Sequence, residues 1–502
     1  MCKAHFFYTL NPYKIMDVKA FETCSLEQEL AEKAGKLVAQ RSVRELEMVG
    51  LTLDRIVEGV VSHQSEIVQL VASTKGRCDK QLRQLVTDAV VQSADGLLLC
   101  TDYSQRAKSE QQVMCFTGSH WEVIVPAKWK MFVDRCAVKC GLPVSNCKDH
   151  AFMNQLYENV AFNVKGYYER RVPAGEVWLN ALNGTLELRS DGTVELREHR
   201  KEDMFLYTLN YAYEPSAECQ RWHKFLDRVL PEEEAQQVLA EFIGYCLMPD
   251  HRMEKMLWLK GEGQNGKSVT LEVIEALLGS GNVSYLSLSD LTNDAIKRAG
   301  IEGKMLNISH ESGKDVNPNV LKQLASGERV TIERKYRDPR EINNYGKFFA
   351  AFNQMPRAEV TGGYFRRIFI LPYDVTITEE EKDDQLALKL KEELPGILNW
   401  VLSALPDFLE RRAFTSSDIC RKALNMYLMQ SDSVRLFLSE MCEAQEYTVT
   451  GDSLFRAYRN YCTDSLLHPV GRSKFYQRLE TLTHSRVEYG NMVYFKLKLK
   501  ES

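Results

Sequence analysis

Met256-Leu257-Trp258-Leu259-Lys260-Gly261-Glu262-Gly263-Gln264-Asn265-Gly266-Lys267-Ser268, running on through Val269-Thr270-Leu271-Glu272-Val273-Ile274-Glu275-Ala276-Leu277-Leu278, decides the reading of this chain. An apolar run gives way to a glycine-rich turn, and then to a segment whose apolar residues recur at helical spacing. Gly261, Gly266, Lys267 and Ser268 fill the pattern G-x-x-x-x-G-K-[ST] in the strand, turn and helix context that pattern requires. Its glycines let backbone N–H groups turn inward around an anion, and the helix that follows offers its unpaired first-turn donors. Lys267 is then expected to reach the β- and γ-phosphates of a nucleoside triphosphate and Ser268 to ligate Mg²⁺. The binding set predicted is Gly261, Glu262, Gly263, Gln264, Asn265, Gly266, Lys267, Ser268 and Val269.

The 502 residues predict two to four domains, and 44% hydrophobic residues suffice for ordinary globular cores. A formal net charge of −5 argues against a chain that is basic throughout, while leaving room for a local basic groove. The 13 cysteines lack the dense, regular spacing of a secreted disulfide framework, so a reducing, cytoplasmic setting is expected. Cys136, Cys140 and Cys147 with His150 come nearest to a metal cluster. Their spacing matches no zinc pattern, and the expectation is small buried thiols. No run of about 18 apolar residues occurs, and Met1-Cys2-Lys3-Ala4-His5-Phe6-Phe7-Tyr8 lacks the long apolar stretch of an export signal. A soluble chain with no membrane partner is predicted.

Along the chain, residues from Ser25 to Ser93 carry a helical pattern, which predicts an N-terminal arm or small bundle over 1–96. From 97 to 250 shorter alternating runs, with Asn183-Gly184 and Asp191-Gly192 as hairpin turns, predict an α+β region that ends in helices. Alternating strands and helices over 251–378 suit a parallel sheet with nucleotide at the strand C-termini. Helices dominate 379–445, and 446–502 forms a separate tail. The fold class expected is α/β.

Four further features carry chemistry. Lys304-Met305-Leu306-Asn307-Ile308-Ser309-His310-Glu311 is an apolar strand ending in a carboxylate, so Glu311 is the candidate general base and a Mg²⁺ ligand beside Ser268. Lys347-Phe348-Phe349-Ala350-Ala351-Phe352 delivers Asn353, whose neutral amide suits the γ-phosphate or the attacking water; a plain turn former is the alternative. Arg366 and Arg367 open another apolar strand, where a guanidinium can neutralise charge on a γ-phosphoryl group or form a surface ion pair. Arg334, Lys335, Arg337 and Arg340, with Tyr336 interleaved, form a basic hairpin tip suited to phosphate contact and base stacking.

In this order, phosphate loop, Glu311, the Lys322/Gly327 segment with its basic hairpin, Asn353-Gln354-Met355-Pro356 and Phe365-Arg366-Arg367 resemble the motifs of superfamily 3 helicases. More narrowly, they are similar to the phage, plasmid and poxvirus primase-helicase branch. Trp178-Leu179-Asn180, Tyr207 to Pro215 and Phe242-Ile243-Gly244-Tyr245 resemble its domain ahead of the ATPase. The resemblance implies a P-loop, AAA+-like ATPase ring, a hexamer, that hydrolyses ATP with Mg²⁺ between subunits and draws single-stranded DNA through its channel. It makes Lys267, Glu311 and Asn353 catalytic, gives Arg366 or Arg367 to the neighbouring site, and puts Arg334, Lys335, Tyr336 and Arg337 on DNA. Ser309 and His310 depart from the paired acids of many relatives, and no primase domain is evident. A separate primase or polymerase is therefore a further expected partner.

The tail resembles the family's winged-helix end. From Gly451 to Ser502 nine Lys/Arg stand against five Asp/Glu, which favours duplex contact at a fork or origin through Arg472, Lys474 and the wing. The resulting expectation is an ATP-driven DNA helicase in replication of a phage, virus, plasmid or other mobile element. The alternatives are an ATP-switched origin binder or loader, and the helicase part of a primase-helicase.

Overall fold

The computed structural model describes residues 47–73, 80–101, 112–144, 146–164, 166, 172–173, 176–189, 192–310, 316–335, 338–356, 362–465, 469–490 and 492–500. Glu311, Tyr336 and Arg337 lie outside the described residues, as does the chain before residue 47. Two compact units emerge. One holds the described residues up to 166 together with Arg200–Leu206, the other holds those of 172–199 and from Tyr207 onward.

In the first unit, helices over 47–59, Gln64–Ser73 and Lys80–Ala94 precede an antiparallel sheet of Leu98–Thr101, Gln112–Phe116 and Trp121–Val123. The helices Pro126–Cys140 and His150–Asn163 follow. Their apolar faces meet in one core that includes Val86, Val90, Phe132, Val133, Leu156 and Val160. Cys136 and Cys140 belong to that core, and burial pushes both thiols up, Cys136 to about 12. Among the described residues no group of three or more His, Cys, Asp and Glu side chains is placed to hold a metal ion.

The second unit is built on a five-stranded parallel sheet. Its strands run in spatial order Ile368–Pro372, Met256–Lys260, Lys347–Phe352, Leu306–Ser309 and Val283–Ser284. Met256–Leu259 and all of Lys347–Phe352 and Leu306–Ser309 are buried, as strands covered on both faces must be. Asn307 fastens the short edge strand. Its Oδ1 accepts from Ser284 Oγ at 2.9 Å and Leu286 N–H at 3.0 Å, while its Nδ2 donates to Leu286 O at 3.0 Å. The chain is thus α/β with a parallel sheet and many helices.

Helices Gln220–Val229, Glu233–Leu247 and Leu394–Arg411 pack in the same unit, and a buried carboxylate ties two of them together. Glu241 accepts from Thr415 N–H at 2.7 Å and Thr415 Oγ1 at 2.6 Å, and pairs with Arg411 at 2.5 Å. Beyond Ser433–Met441 come the strand Cys442–Thr450, helices Gly451–Asp464 and Arg472–Thr483, and a hairpin of Val487–Tyr489 with Met492–Leu499. The long hairpin strand lies between the other two, and Phe437, Leu454, Tyr458, Phe475 and Phe495 fill the core. Among the described residues no helix is long and apolar enough to cross a membrane.

Lys347 places a charged side chain inside the sheet. It is fully buried, its ammonium donates to Met248 O and stands 4.6 Å from the Tyr245 ring centre. Desolvation brings its pKa down to about 8. Between about pH 8 and the unfolded value of 10.5 the unfolded chain binds more protons, so stability gained from this group rises with pH across that window. Lys347→Met should remove the rise, which denaturant titrations of both proteins across that pH range will read out.

Candidate functional site

Parallel pairing sets which residues leave the sheet together. Lys260 lies opposite both Phe352 and Pro372, and Ala350 lies opposite Ser309. Gly261, Asn353 and the chain beyond Ser309 therefore emerge from adjacent strands at one edge, the C-terminal edge where open α/β sheets bind ligands. Gly261 N–H donates to Phe352 O at 3.0 Å, so the loop starts as a direct extension of the sheet. Asn353 is exposed at that edge, and Glu311, two positions past the strand Leu306–Ser309 in sequence, lies outside the described residues.

Between Lys260 and the helix Lys267–Leu278 the backbone turns through positive φ at Gly263 (114°), Gln264 (46°) and Gly266 (86°). Gly266 precedes the helix, and no side chain caps the first-turn N–H groups. Those donors, with the positive end of a 12-residue helix, suit an anion. A Cβ on Gly261 would collide with Asn265 Nδ2 and with Tyr373 O, and one on Gly266 would come within 2.8 Å of Val229 and 3.0 Å of Phe225. Close packing thus requires both glycines.

Lys267 is buried, and desolvation lowers its pKa from the ordinary lysine value. Its Nζ donates to Gly261 O at 2.7 Å and to Asn265 Oδ1 at 2.8 Å. Asn265 Nδ2 in turn donates to Tyr373 O at 3.0 Å. Tyr373 supports the turn a second way, donating from its hydroxyl to Thr270 Oγ1 at 3.1 Å, and Ile377 N–H reaches Gln264 O at 2.8 Å. The Ser268 hydroxyl stands exposed at the head of the helix, with Glu262 exposed in the loop and Val269 half-buried behind it. Backbone donors, an ammonium and a hydroxyl on one turn form a donor set that fits a polyphosphate and its Mg²⁺.

Arg366 and Arg367 are at the other end of the sheet. Arg367 O accepts from Met256 N–H at 2.8 Å, so both arginines sit where the strands begin. They differ in surroundings. The Arg367 side chain, 10% exposed, donates to Ser326 Oγ at 2.9 and 2.8 Å and to Gly363 O at 2.8 Å, and pairs with Glu254 at 3.1 Å. The Arg366 side chain is 65% exposed, with Glu254 at 3.5 Å.

The basic hairpin forms as expected, with Val330–Ile332 antiparallel to Arg340–Ile342. Its arginines are not all available. Arg334 pairs with Glu302 at 2.9 Å and Arg340 with the same carboxylate at 2.6 Å. Arg298, itself buried, donates to Thr331 O at 2.6 Å and Leu291 O at 2.5 Å, which fixes the hairpin base. Lys335 is exposed in the turn. In the tail, Arg472 pairs with Asp452 at 3.2 Å and lies over the Phe455 ring, and Lys474 is exposed on the same helix.

Sequence reading missed Glu302, Ser326, Glu254 and Tyr373. No local signal marks them, because each partner is 30 or more residues away or a main-chain atom. An acid near an unmatched basic cluster is the one hint that Glu302 offered.

A family described as D5 N terminal like matches residues 169–231, and a family of unknown function, DUF5906, matches residues 259–367. A provisionally named helicase of Acanthamoeba polyphaga mimivirus is 22% identical over 242 residues, covering 45% of this chain and 24% of that protein. A provisionally named helicase of Invertebrate iridescent virus 3 is 22% identical over 318 residues, covering 54% of this chain and 34% of that protein. The chain thus spans about a quarter to a third of the length of these relatives. Among solved structures, two apo forms of the C-terminal region of NrS-1 are similar at 10% and 11% identity. They give TM-scores of 0.45 and 0.46 and cover 82% and 84% of this chain and 99% and 100% of theirs. The D5-type match ahead of the loop and the viral relatives that carry helicase names support a likeness to the phage and viral superfamily 3 primase-helicase family.

Proposed function

We propose that this chain is an ATP-dependent, ring-forming DNA helicase that acts in replication of a phage, virus, plasmid or other mobile element. The observation that carries this reading is the separation of two cationic groups across one parallel sheet. Lys267 stands at the C-terminal edge and Arg366 at the N-terminal edge. The five-residue strand Met256–Lys260 alone is about 16 Å long, at about 3.3 Å per residue. Arg366 is therefore too far to serve the phosphates of its own loop. Its exposure suits donation to the loop of the next subunit, with ATP held between them, as expected for a P-loop, AAA+-like ring of six.

In that arrangement the N–H groups of Gly261–Ser268 and the Lys267 ammonium hold the β- and γ-phosphates. Ser268 and Glu311 would hold a Mg²⁺ ion, which would supply charge neutralisation when bound. Asn353 orients the attacking water or γ-phosphate, and Glu311 takes the proton. Arg366 is the finger. Arg367 spends its guanidinium on Ser326 and Gly363, which makes it the brace that holds the finger loop.

Lys335, with Arg334, Tyr336 and Arg337 beside it, meets the single strand in the channel, and the ion pairs of Arg334 and Arg340 to Glu302 keep the hairpin stiff. A stiff, basic tip favours translocation over an origin loader that only marks a site. The helix, strand, two helices and hairpin of the tail fit a winged-helix domain that contacts duplex at the fork or origin through Arg472 and Lys474.

Lys267→Ala should abolish ATP hydrolysis, and Arg366→Ala should lower kcat by about a thousandfold. Mixing the two variants should restore turnover, because some interfaces then combine an intact loop with an intact finger. Absence of recovery at every ratio would refute the shared site. Lys335→Ala should keep basal hydrolysis and lose strand separation on forked DNA; an unchanged unwinding rate would remove the hairpin from the mechanism.

A further inference from the structure

Asn265 occupies a variable position of the loop pattern, yet its side chain is among the most constrained in the site. It is buried, and each end of its amide is used by a different part of the fold. Oδ1 accepts from Lys267 Nζ at 2.8 Å, and Nδ2 donates to Tyr373 O at 3.0 Å. The amide orientation follows from chemistry, since an ammonium can only donate and a carbonyl can only accept. Asn265 also packs so closely against Gly261 that any side chain there would strike it.

An ammonium has three donors. Gly261 O takes one at 2.7 Å and Asn265 Oδ1 takes another, which leaves one for a phosphate oxygen. Two internal acceptors of fixed position hold the end of a four-carbon chain that otherwise samples many rotamers, and without them the ligand must order that chain itself. Asn265 Oδ1 has that fixed position because Tyr373, at the exit of the Ile368–Pro372 strand, anchors the opposite end of the amide.

We propose that Asn265 is a positioning residue for the phosphate-binding lysine, pre-ordering Lys267 by linking it to the exit of the neighbouring strand at Tyr373. The inference rests on the nucleotide-binding reading of the loop. It adds that affinity for the triphosphate depends on Asn265 through Lys267 and not through loop stability. It also links this site to the far sheet edge, because the strand Ile368–Pro372, which leads into Tyr373, begins directly after Arg366 and Arg367.

The test is a double-mutant cycle read by titration with a fluorescent ATP analogue and Mg²⁺, using full-length wild type, Asn265→Ala, Lys267→Met and the double variant. Asn265→Ala should weaken binding about tenfold when Lys267 is present and less than about twofold when it is Met. Equal penalties in the two backgrounds, or no penalty in either, would overturn the proposal, because loop damage acts whether or not the lysine is there. Asn265→Ser, whose short hydroxyl cannot span both partners, should repeat the pattern and serves if Asn265→Ala fails to fold. A wild-type protein that binds no nucleotide would instead refute the reading of the loop itself.

Discussion

Everything at this site depends on the register that sets Lys260 opposite both Phe352 and Pro372. Because the strands are parallel and end level, the backbone of Gly261 can bond to Phe352 O, and Tyr373 can offer its carbonyl to Asn265. A slip of one residue would turn every side chain of a strand to the opposite face and carry Asn353 away from the loop. The buried bulk of Trp258, Phe348 and Phe349 opposes such a slip, so the packing that stabilises the sheet also holds the glycine-rich loop in place.

Charge is distributed over the two sheet edges in a way that burial explains. At the loop, Lys267 is desolvated and held by neutral oxygens of Gly261 and Asn265, which leaves its positive charge uncompensated by any acid among its hydrogen-bond partners. At the other edge acids are close at hand. Glu254 stands beside Arg366 and Arg367, and Glu302 joins Arg334 to Arg340. Neutral partners suit a lysine kept for an anionic ligand, and acidic partners suit an arginine such as Arg367 that braces its surroundings.

The strand, turn and helix of the loop were legible because their signals are local. Glycine spacing, an apolar run and helical periodicity all occur within 23 residues, and the parallel sheet follows from alternating elements. The helices that dominate 379–445 were legible for the same reason. The two helices Pro126–Cys140 and His150–Asn163 were not, since short alternating runs and the hairpin turns at Asn183-Gly184 and Asp191-Gly192 dominated the texture of that region. The different surroundings of Arg366 and Arg367 were illegible as well. They are adjacent and identical in type, and what tells them apart is the Arg367 contact with Ser326, 41 residues away, and with Gly363 O. The same holds for the tie between Asn265 and Tyr373, which spans 108 residues.

The most direct test of the account is an electron cryo-microscopy map of the full chain with a non-hydrolysable ATP analogue, Mg²⁺ and forked DNA. The account predicts a closed ring in which each triphosphate lies on Gly261–Ser268 of one subunit, with Arg366 of the adjacent subunit at its γ-phosphate. A nucleotide bound elsewhere, or a ring whose interfaces leave Arg366 facing solvent, would contradict it.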